Sequence, residues 1–289
     1  MNVAPRVLGF LAGCAALFAV ALGVGHLVGP VAAEPAADDH EAMADDDDMA
    51  DTTEMAHDVG GLEAAAGGYT LRLGTPQVSA GRQRLQFTIT GPDGEPVTAY
   101  DEQHERDLHL VVVRRDLTGF QHLHPELDAA TGEWGVDADL TAGAWRVVTD
   151  FTPAGSEQQV LGADLMVPGE FAPEPLGDDS RVVQVDGYEV TLDRTAASHE
   201  ETVLTATVTR DGEPVRDLQP YLAAYGHLVA LRDGDIGYLH VHPEEGAGPG
   251  PEIAFRTTFP SAGRYRLFLD FRHGDTVHTA AFTVTVDEH

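Results

Sequence analysis

A segment of 18 residues that occurs twice decides the fold of this chain. HLVVVRRDLTGFQHLHPE spans residues 109–126 and HLVALRDGDIGYLHVHPE spans residues 227–244, with nine of the 18 positions identical and no gap. Chance would give about one identity at average composition. Because an internal repeat constrains the architecture before any local pattern does, the two copies predict two similar domains in tandem.

The similarity extends on both sides of the two segments. The sequence DGEPV occurs at residues 93–97 and again at 211–215, and a segment rich in proline, glycine and acid separates the halves. Such a composition is typical of an interdomain linker. We therefore predict a first domain over residues 67–169, a linker over 170–180 and a second domain over 181–289.

Within each half, short runs of alternating or β-branched residues recur about seven times between turn signals. This pattern predicts strands, and seven strands in roughly 100 residues is the size of an immunoglobulin-like domain. No long helical period appears after the N-terminal segment. The predicted fold is all-β, with two tandem immunoglobulin-like β-sandwich domains.

The N-terminus predicts a membrane segment over residues 1–33. Residues 7–33 carry no charge, and about 20 apolar residues span a bilayer. Arg6 precedes this run and an acidic stretch follows it, which places the remaining chain outside the cytoplasm. We expect a single-pass signal anchor in the cell membrane. The alternatives are a cleaved signal peptide, giving a secreted protein, and a lipoprotein attached through Cys14.

Residues 34–66 predict a disordered acidic linker. Eleven acidic side chains and no basic one lie between residues 34 and 58, and such a segment cannot collapse into a core. The linker is either a solvated spacer or a weak collector of soft cations such as copper, because it also carries thioethers and imidazoles. These candidate tail ligands are His40, Met43, Met49, Met55 and His57.

Composition limits the chemistry that the chain can perform. Its 289 residues contain 48 acidic and 17 basic side chains, for a net charge of −31. This charge repels phosphate backbones and argues against nucleic acid as a partner. The single cysteine, Cys14, excludes disulfides and thiolate zinc sites in the domains. A metal site must therefore use histidine, carboxylate or methionine.

The first copy of the repeated segment predicts a histidine cluster on one face of a β-hairpin. His122 and His124 are two residues apart, so both side chains leave the same face of a strand. If Asp116-Leu117 is the centre of the turn, residues whose numbers sum to 233 face each other. His109 then lies opposite His124 and diagonal to His122, within reach of a shared ion.

The second copy predicts the same cluster through a turn at Gly234-Asp235. Residue numbers that sum to 469 face each other, which puts His227 opposite His242 and diagonal to His240. An exposed hairpin of this kind suits copper, which binds nitrogen ligands tightly, or zinc. The alternative is that these histidines only form hydrogen bonds within the sheet.

Carboxylates near the two clusters are candidates for supporting roles. Glu126 and Glu244 follow the His-Pro corners and could add an oxygen ligand or hold an imidazole by its second nitrogen. Asp150 and Asp270 are expected to form surface ion pairs with arginines on the same strands. Four histidines have no counterpart in the other copy and are expected at the surface: His104, His199, His273 and His278.

At the twin HLV and HxHPE sequences, the chain resembles a family of extracytoplasmic proteins with an N-terminal anchor, an acidic linker and two β-sandwiches. The resemblance covers essentially the whole chain and implies heavy-metal or copper handling. Each domain is also similar to CopC-like or YtkA-like copper-binding sandwiches, although their N-terminal histidine ligand has no equivalent here.

The sequence leaves three classes of function open. The leading hypothesis is a non-enzymatic, membrane-anchored protein that binds copper, or zinc, for sequestration, delivery or resistance. The alternative is a structural or interaction module that binds an envelope protein without metal. A metal-dependent enzyme would need a general base, for which Glu126 and Glu244 are the only candidates.

Overall fold

The computed structural model describes residues 59–193, 196–244, 246 and 248–288. All regular secondary structure in this part of the chain is β-strand, in 18 strands. The described residues include no helix with the length and hydrophobicity to cross a membrane. The segment predicted to be an anchor, residues 1–33, lies outside the described ranges.

The first repeat contains nine strands: β1 (Ala65–Ala66), β2 (Tyr69–Leu73), β3 (Gly81–Thr90), β4 (Leu108–Arg114), β5 (Gln121–Leu123), β6 (Glu126–Asp128), β7 (Glu133–Leu140), β8 (Gly143–Phe151) and β9 (Gln159–Val167). They form one antiparallel sheet in the order β1-β2-β3-β7-β6 and a second in the order β5-β4-β8-β9. The two sheets pack face to face as a sandwich.

The second repeat contains the other nine strands: β10 (Val182–Val185), β11 (Tyr188–Asp193), β12 (Glu201–Arg210), β13 (Glu213–Pro214), β14 (Gly226–Arg232), β15 (Tyr238–Pro243), β16 (Glu252–Thr258), β17 (Gly263–His273) and β18 (Thr276–Val286). Their order is β10-β11-β12-β16-β15-β14-β17-β18, with β13 paired to β12. Strand β15 pairs with β14 along most of its length and with β16 at its end, so it joins the two layers.

The all-β fold with two tandem immunoglobulin-like sandwiches is therefore confirmed. Each repeat contains nine strands, two more than the seven or so that its sequence predicts. Each repeat has its own apolar core between its sheets, with Phe87, Trp134 and Trp145 in the first and Phe255, Phe271 and Phe282 in the second.

A third apolar cluster lies between the two repeats. On β4, Leu108, Leu110 and Val112 face the core of the first sandwich, while Val111 and Val113 face the second repeat. Strand β14 contributes Val229 and Leu231 to the same cluster, and the ring of Phe120 stacks on Phe268 at 3.9 Å. Both faces of these strands are thus buried. The repeats pack against each other through the face that carries the histidines.

The segment just before the first repeat is ordered, unlike the predicted linker. Residues 34–66 were expected to be disordered, but residues 59–66 are fixed by backbone hydrogen bonds to both repeats, and residues 34–58 lie outside the described ranges. Gly60 N–H donates to Tyr238 O at 2.8 Å, and Gly61 N–H donates to Val160 O at 3.2 Å. The acidic composition of the segment could not predict that residues 59–66 are ordered, because this order comes from backbone hydrogen bonds at Gly60 and Gly61.

Candidate metal centre

The hairpin of the first repeat has the predicted register. Val111 pairs with His122 and Leu110 with Leu123, so paired residue numbers sum to 233. In the second repeat Val229 pairs with His240, giving the predicted sum of 469. Because side chains alternate along a strand, this register determines which histidines share a face.

The three histidines of the first copy come together on that face. One ring nitrogen each of His109, His122 and His124 lies within 4.8 Å of the other two. The ring centroids are 5.3, 5.1 and 5.0 Å apart for the pairs 109–122, 109–124 and 122–124. Three imidazoles bound to one tetrahedral ion at a metal–nitrogen distance of about 2.0 Å would have centroids about 5 Å apart. The rings already have this spacing.

Hydrogen bonds orient the rings of His109 and His122. His109 Nε2 lies 3.0 Å from the carbonyl oxygen of Gln103, which can only accept, so Nε2 carries a proton. His122 Nδ1 lies 3.0 Å from a carboxylate oxygen of Asp270 and donates to it in the same way. The remaining nitrogens, His109 Nδ1 and His122 Nε2, face each other at 3.1 Å. Because the proton of each ring lies on its other nitrogen, this 3.1 Å contact needs either an additional proton on one ring or a cation between the two nitrogens.

His124 supplies a third nitrogen, Nε2. Its Nε2 is buried and forms no hydrogen bond with any described residue. A buried polar atom in a native protein is nearly always satisfied, and an exception calls for an explanation such as a bound ion. His124 belongs to the same cluster as His109 and His122.

Burial keeps two rings of the cluster, His109 and His124, in the form that binds metal. It lowers the pKa of His109 to about 4, and the nearby His122 adds to this effect. Burial, together with His122 and His109, lowers the pKa of His124 to about 2. Both rings are therefore neutral at pH 7, and a neutral imidazole nitrogen is the ligand that a metal requires.

The hairpin is not exposed, contrary to the expectation from the sequence. His109 is 6% exposed and the side chain of His122 is 7% exposed, because the second repeat covers this face. The apolar run Leu-Val-Val-Val at residues 110–113 was the available signal. A continuous apolar run is typical of a strand that is buried on both faces.

The carboxylate that holds the cluster comes from the other repeat, and the expectation of surface ion pairs was wrong. Asp270 is 4% exposed, and Thr279 Oγ1 donates to its second oxygen at 2.5 Å. Its equivalent Asp150 is also 4% exposed and accepts a hydrogen bond from the Tyr238 hydroxyl at 3.0 Å. Arg146 forms an ion pair with Asp164 instead, at 2.9 Å.

Glu126 does not occupy the supporting role predicted for it, and both Glu126 and Glu244 lie in ion pairs. Glu126 is on β6, in the sheet that does not carry the histidines, where its exposed side chain lies 4.0 Å from Arg84. Glu244 lies 2.7 Å from Arg256. The reason in the first repeat is that the chain crosses to the other sheet directly after the His-Pro corner.

In the second copy the structure describes only one of the three histidine side chains. His227 Nε2 lies 2.7 Å from the carbonyl oxygen of Tyr221, as His109 Nε2 does from Gln103. Burial lowers the pKa of His227 to about 4. The side chains of His240 and His242 lie outside the described part, so the second cluster stays a prediction.

His104, expected at the surface, lies beside the cluster. Its ring centroid is 6.0 Å from that of His109 and 5.5 Å from that of His227. These rings and His122 line a cavity of about 20 Å³ between the repeats, which is space for roughly one water molecule or ion. Sequence reasoning missed this residue because it has no counterpart in the second copy.

The other unmatched histidines, His199, His273 and His278, belong to the second repeat. His199 is exposed, as expected. His278 is 8% exposed and bonds to Asp186 at 2.8 Å, so the expectation of a surface position was wrong for this residue. His273 lies between Asp217 and the Tyr188 hydroxyl.

Comparison with known proteins identifies a family but no activity. The model of a family described as a domain of unknown function, DUF8832, matches residues 64–163 and again residues 183–288. No curated protein matches the chain.

Solved structures with similar folds are distant. The Escherichia coli adhesin FdeC is 14% identical over 78% of this chain, with a TM-score of 0.24, and 65% of the adhesin structure is covered. Domains 4–9 of the surface layer protein SbsC are 12% identical over 76% of this chain and 31% of that one, with a TM-score of 0.22. A marsupial T cell receptor is 12% identical over 75% of this chain and 99% of that one, with a TM-score of 0.23. At these TM-scores the likeness carries no argument about function.

Proposed function

Since the chain belongs to the DUF8832 family, whose description names no activity, its function has to be argued from the site, and we propose that it is an extracytoplasmic metal-binding protein. It holds copper, or zinc, through His109, His122 and His124, for sequestration, delivery or resistance. It performs no catalysis.

The observation that carries this proposal is the set of three nitrogens at the cluster. Two of them face each other at 3.1 Å, and the third is buried with no hydrogen-bond partner among the described residues. An arrangement of this kind is costly in a protein that binds nothing there, because a buried unsatisfied polar group costs about 1–3 kcal/mol. One cation satisfies all three nitrogens at once.

The donor set favours copper. Imidazole suits both copper and zinc, and copper(II) binds nitrogen ligands more tightly in the Irving–Williams order. The sequence resemblance to copper-binding sandwiches and the methionines of the acidic linker point the same way. We further propose that residues 1–33 anchor the protein in the cell membrane, with both domains outside the cytoplasm.

The surroundings of the cluster favour storage or transfer of an ion over catalysis. Three protein ligands leave a fourth position open, which a metalloenzyme would use for water or substrate. The cavity beside His109 and His122 holds only about 20 Å³, too little for a substrate molecule. Glu126, the predicted general base of this repeat, is directed towards Arg84.

The test measures Cu(II) and Zn(II) affinity by competition with a chelator of known strength. It uses the full chain with the tail ligands His40, Met43, Met49, Met55 and His57 replaced, so that only the domains bind metal. His122→Ala should lower affinity at one site at least 100-fold, because it removes one ligand and leaves the Asp270 carboxylate buried without its partner. His278→Ala, which removes a buried histidine outside the cluster, should leave affinity unchanged.

If the tail-substituted protein retains neither ion, the proposal fails. The folded domains are then better explained as a module that binds an envelope protein without metal.

A further inference from the structure

We infer that the metal ion acts as a clamp between the two repeats, with Asp270 as the positioning residue that links them. This inference rests on the proposed function, since it concerns the same cluster of histidines. All three ligands belong to the first repeat, whereas Asp270 belongs to the second. A metal ion that binds the first repeat is therefore held in place by the second.

The contact between His122 and Asp270 has the form of a carboxylate–histidine–metal arrangement. His122 Nδ1 donates to the carboxylate at 3.0 Å, which leaves Nε2 directed towards His109. The other carboxylate oxygen accepts a hydrogen bond from Thr279 Oγ1, so Asp270 is itself fixed. Such a carboxylate orients the ring and makes it a stronger ligand, and its loss typically lowers metal affinity 10- to 100-fold.

The carboxylate reaches His122 only while the repeats are packed together. The interface is formed by β-strand faces, with Val111, Val113, Val229 and Leu231 buried in one cluster. If the repeats separate, His122 loses Asp270 and its face becomes exposed to water. The closed state therefore binds metal more tightly than the open state by the factor that Asp270 supplies.

Metal binding and closure of the repeats are thermodynamically linked, and this linkage determines how strongly the ion favours the closed state. If closure raises metal affinity 10- to 100-fold, a bound ion must raise the equilibrium constant for closure by the same factor. Apolar packing holds the repeats together without metal. The ion then makes opening 10 to 100 times rarer.

Two backbone hydrogen bonds report on opening. Tyr238 N–H donates to Gly60 O at 3.0 Å and Gly60 N–H donates to Tyr238 O at 2.8 Å. Gly60 belongs to the segment that Arg146 holds on the first repeat through Gly61 O, so these amides exchange with solvent when the repeats separate. Gly74 N–H, bonded to Gln86 O within the first repeat at 2.7 Å, is an internal control.

The experiment measures amide hydrogen exchange by nuclear magnetic resonance with and without one equivalent of Zn²⁺. It uses the full chain with the tail ligands replaced and with His240→Ala and His242→Ala, so that only the first cluster is available. Zinc should slow exchange at Gly60 and Tyr238 by 10- to 100-fold and leave Gly74 unchanged. Asp270→Asn should lower zinc affinity 10- to 100-fold and abolish the slowing.

Asp150→Asn is the matched control, because it makes the same change at an equally buried interface carboxylate, one that accepts hydrogen bonds from Gln158 and Tyr238. It should speed exchange in the metal-free protein, while zinc affinity and the slowing by zinc persist. A purely structural role of Asp270 would make the two variants behave alike. If zinc binds but Asp270→Asn binds it as tightly and exchange does not respond, the clamp is refuted and the metal site stands. If zinc does not bind at all, the proposed function itself fails.

Discussion

The two repeats build the same local geometry around their histidines. In each, the first histidine of the trio donates through Nε2 to the carbonyl oxygen six residues before it, from His109 to Gln103 and from His227 to Tyr221. Each hairpin has the register that its sequence predicts. Duplicated sequence has therefore preserved the backbone framework of the site, including contacts that leave no obvious sequence pattern.

The repeats differ in what surrounds that framework. At equivalent loop positions the first repeat has His104 and the second has Leu222, both with positive φ, at 48° and 54°. Arg146 donates through Nε to Gly61 O, whereas the Nε of its equivalent Arg266 is buried without a partner among the described residues. The two repeats therefore share a framework but place different side chains around it.

Replacing either histidine trio by alanine is the most direct test of whether the two repeats bind metal in the same way. In the tail-substituted full chain we expect about two bound ions, and alanine at His109, His122 and His124 should remove one of them. Alanine at His227, His240 and His242 should remove the other. Metal content after dialysis measures both, and retention of both ions by either variant would refute a site in that repeat.

Weakening the interface tests how much the contact between the repeats adds to the stability of the protein, beyond the stability of each sandwich. Phe268 is 3% exposed and stacks on Phe120 across the repeats. Phe268→Ala should destabilise the protein by about 3 kcal/mol, since a large buried ring leaves a cavity. Urea unfolding measures this change, and a loss below about 1 kcal/mol would show that the interface contributes little to stability.

Low pH should destabilise the metal-free protein. The two equivalent histidines, His109 and His227, should contribute equally to this loss of stability. The folded-state pKa of His109 and of His227 is about 4, below the unfolded value of 6.5. Below pH 6.5 the unfolded chain binds protons that the folded chain does not, so stability falls by roughly 1 kcal/mol per pH unit for each histidine until about pH 4.

Replacing either histidine by glutamine should remove the same part of this dependence, which denaturation between pH 7 and pH 4 measures. A variant whose stability falls with acid as steeply as that of the wild type would contradict the assignment for that residue.

The smallest effect is expected where the first repeat is made to resemble the second. His104→Leu introduces the residue found at the equivalent position of the second loop, which has a similar backbone conformation. Because His104 is not one of the three ligands, zinc affinity should change less than about threefold and stability by less than about 1 kcal/mol. Calorimetric titration measures the affinity, and a loss above tenfold would make His104 a ligand.

Much of the fold could be predicted because the relevant information is local. Turn residues and alternation fixed the strands, and Asp116-Leu117 fixed a register that brings His109, His122 and His124 together. The duplicated trio indicated a site because two copies retained the same spacing. These inferences needed no knowledge of how the domains pack.

The contacts made across the repeats could not be predicted in the same way. Asp270 lies 148 residues from His122, and nothing in either local pattern places them together. Glu126 appeared the better candidate because it is close in sequence, but the chain changes sheet after Pro125. The apolar residues that follow His109 did indicate a strand buried on both faces, and that signal was the one available clue to the interface.

X-ray absorption spectroscopy at the metal edge tests the central claim most directly. The sample is the full chain with the tail ligands replaced and with His240→Ala and His242→Ala, loaded with one equivalent of Cu(II) or Zn(II). We predict three imidazole nitrogens at about 2.0 Å from the ion. A shell of oxygen atoms with fewer than two imidazoles would contradict a metal centre at His109, His122 and His124.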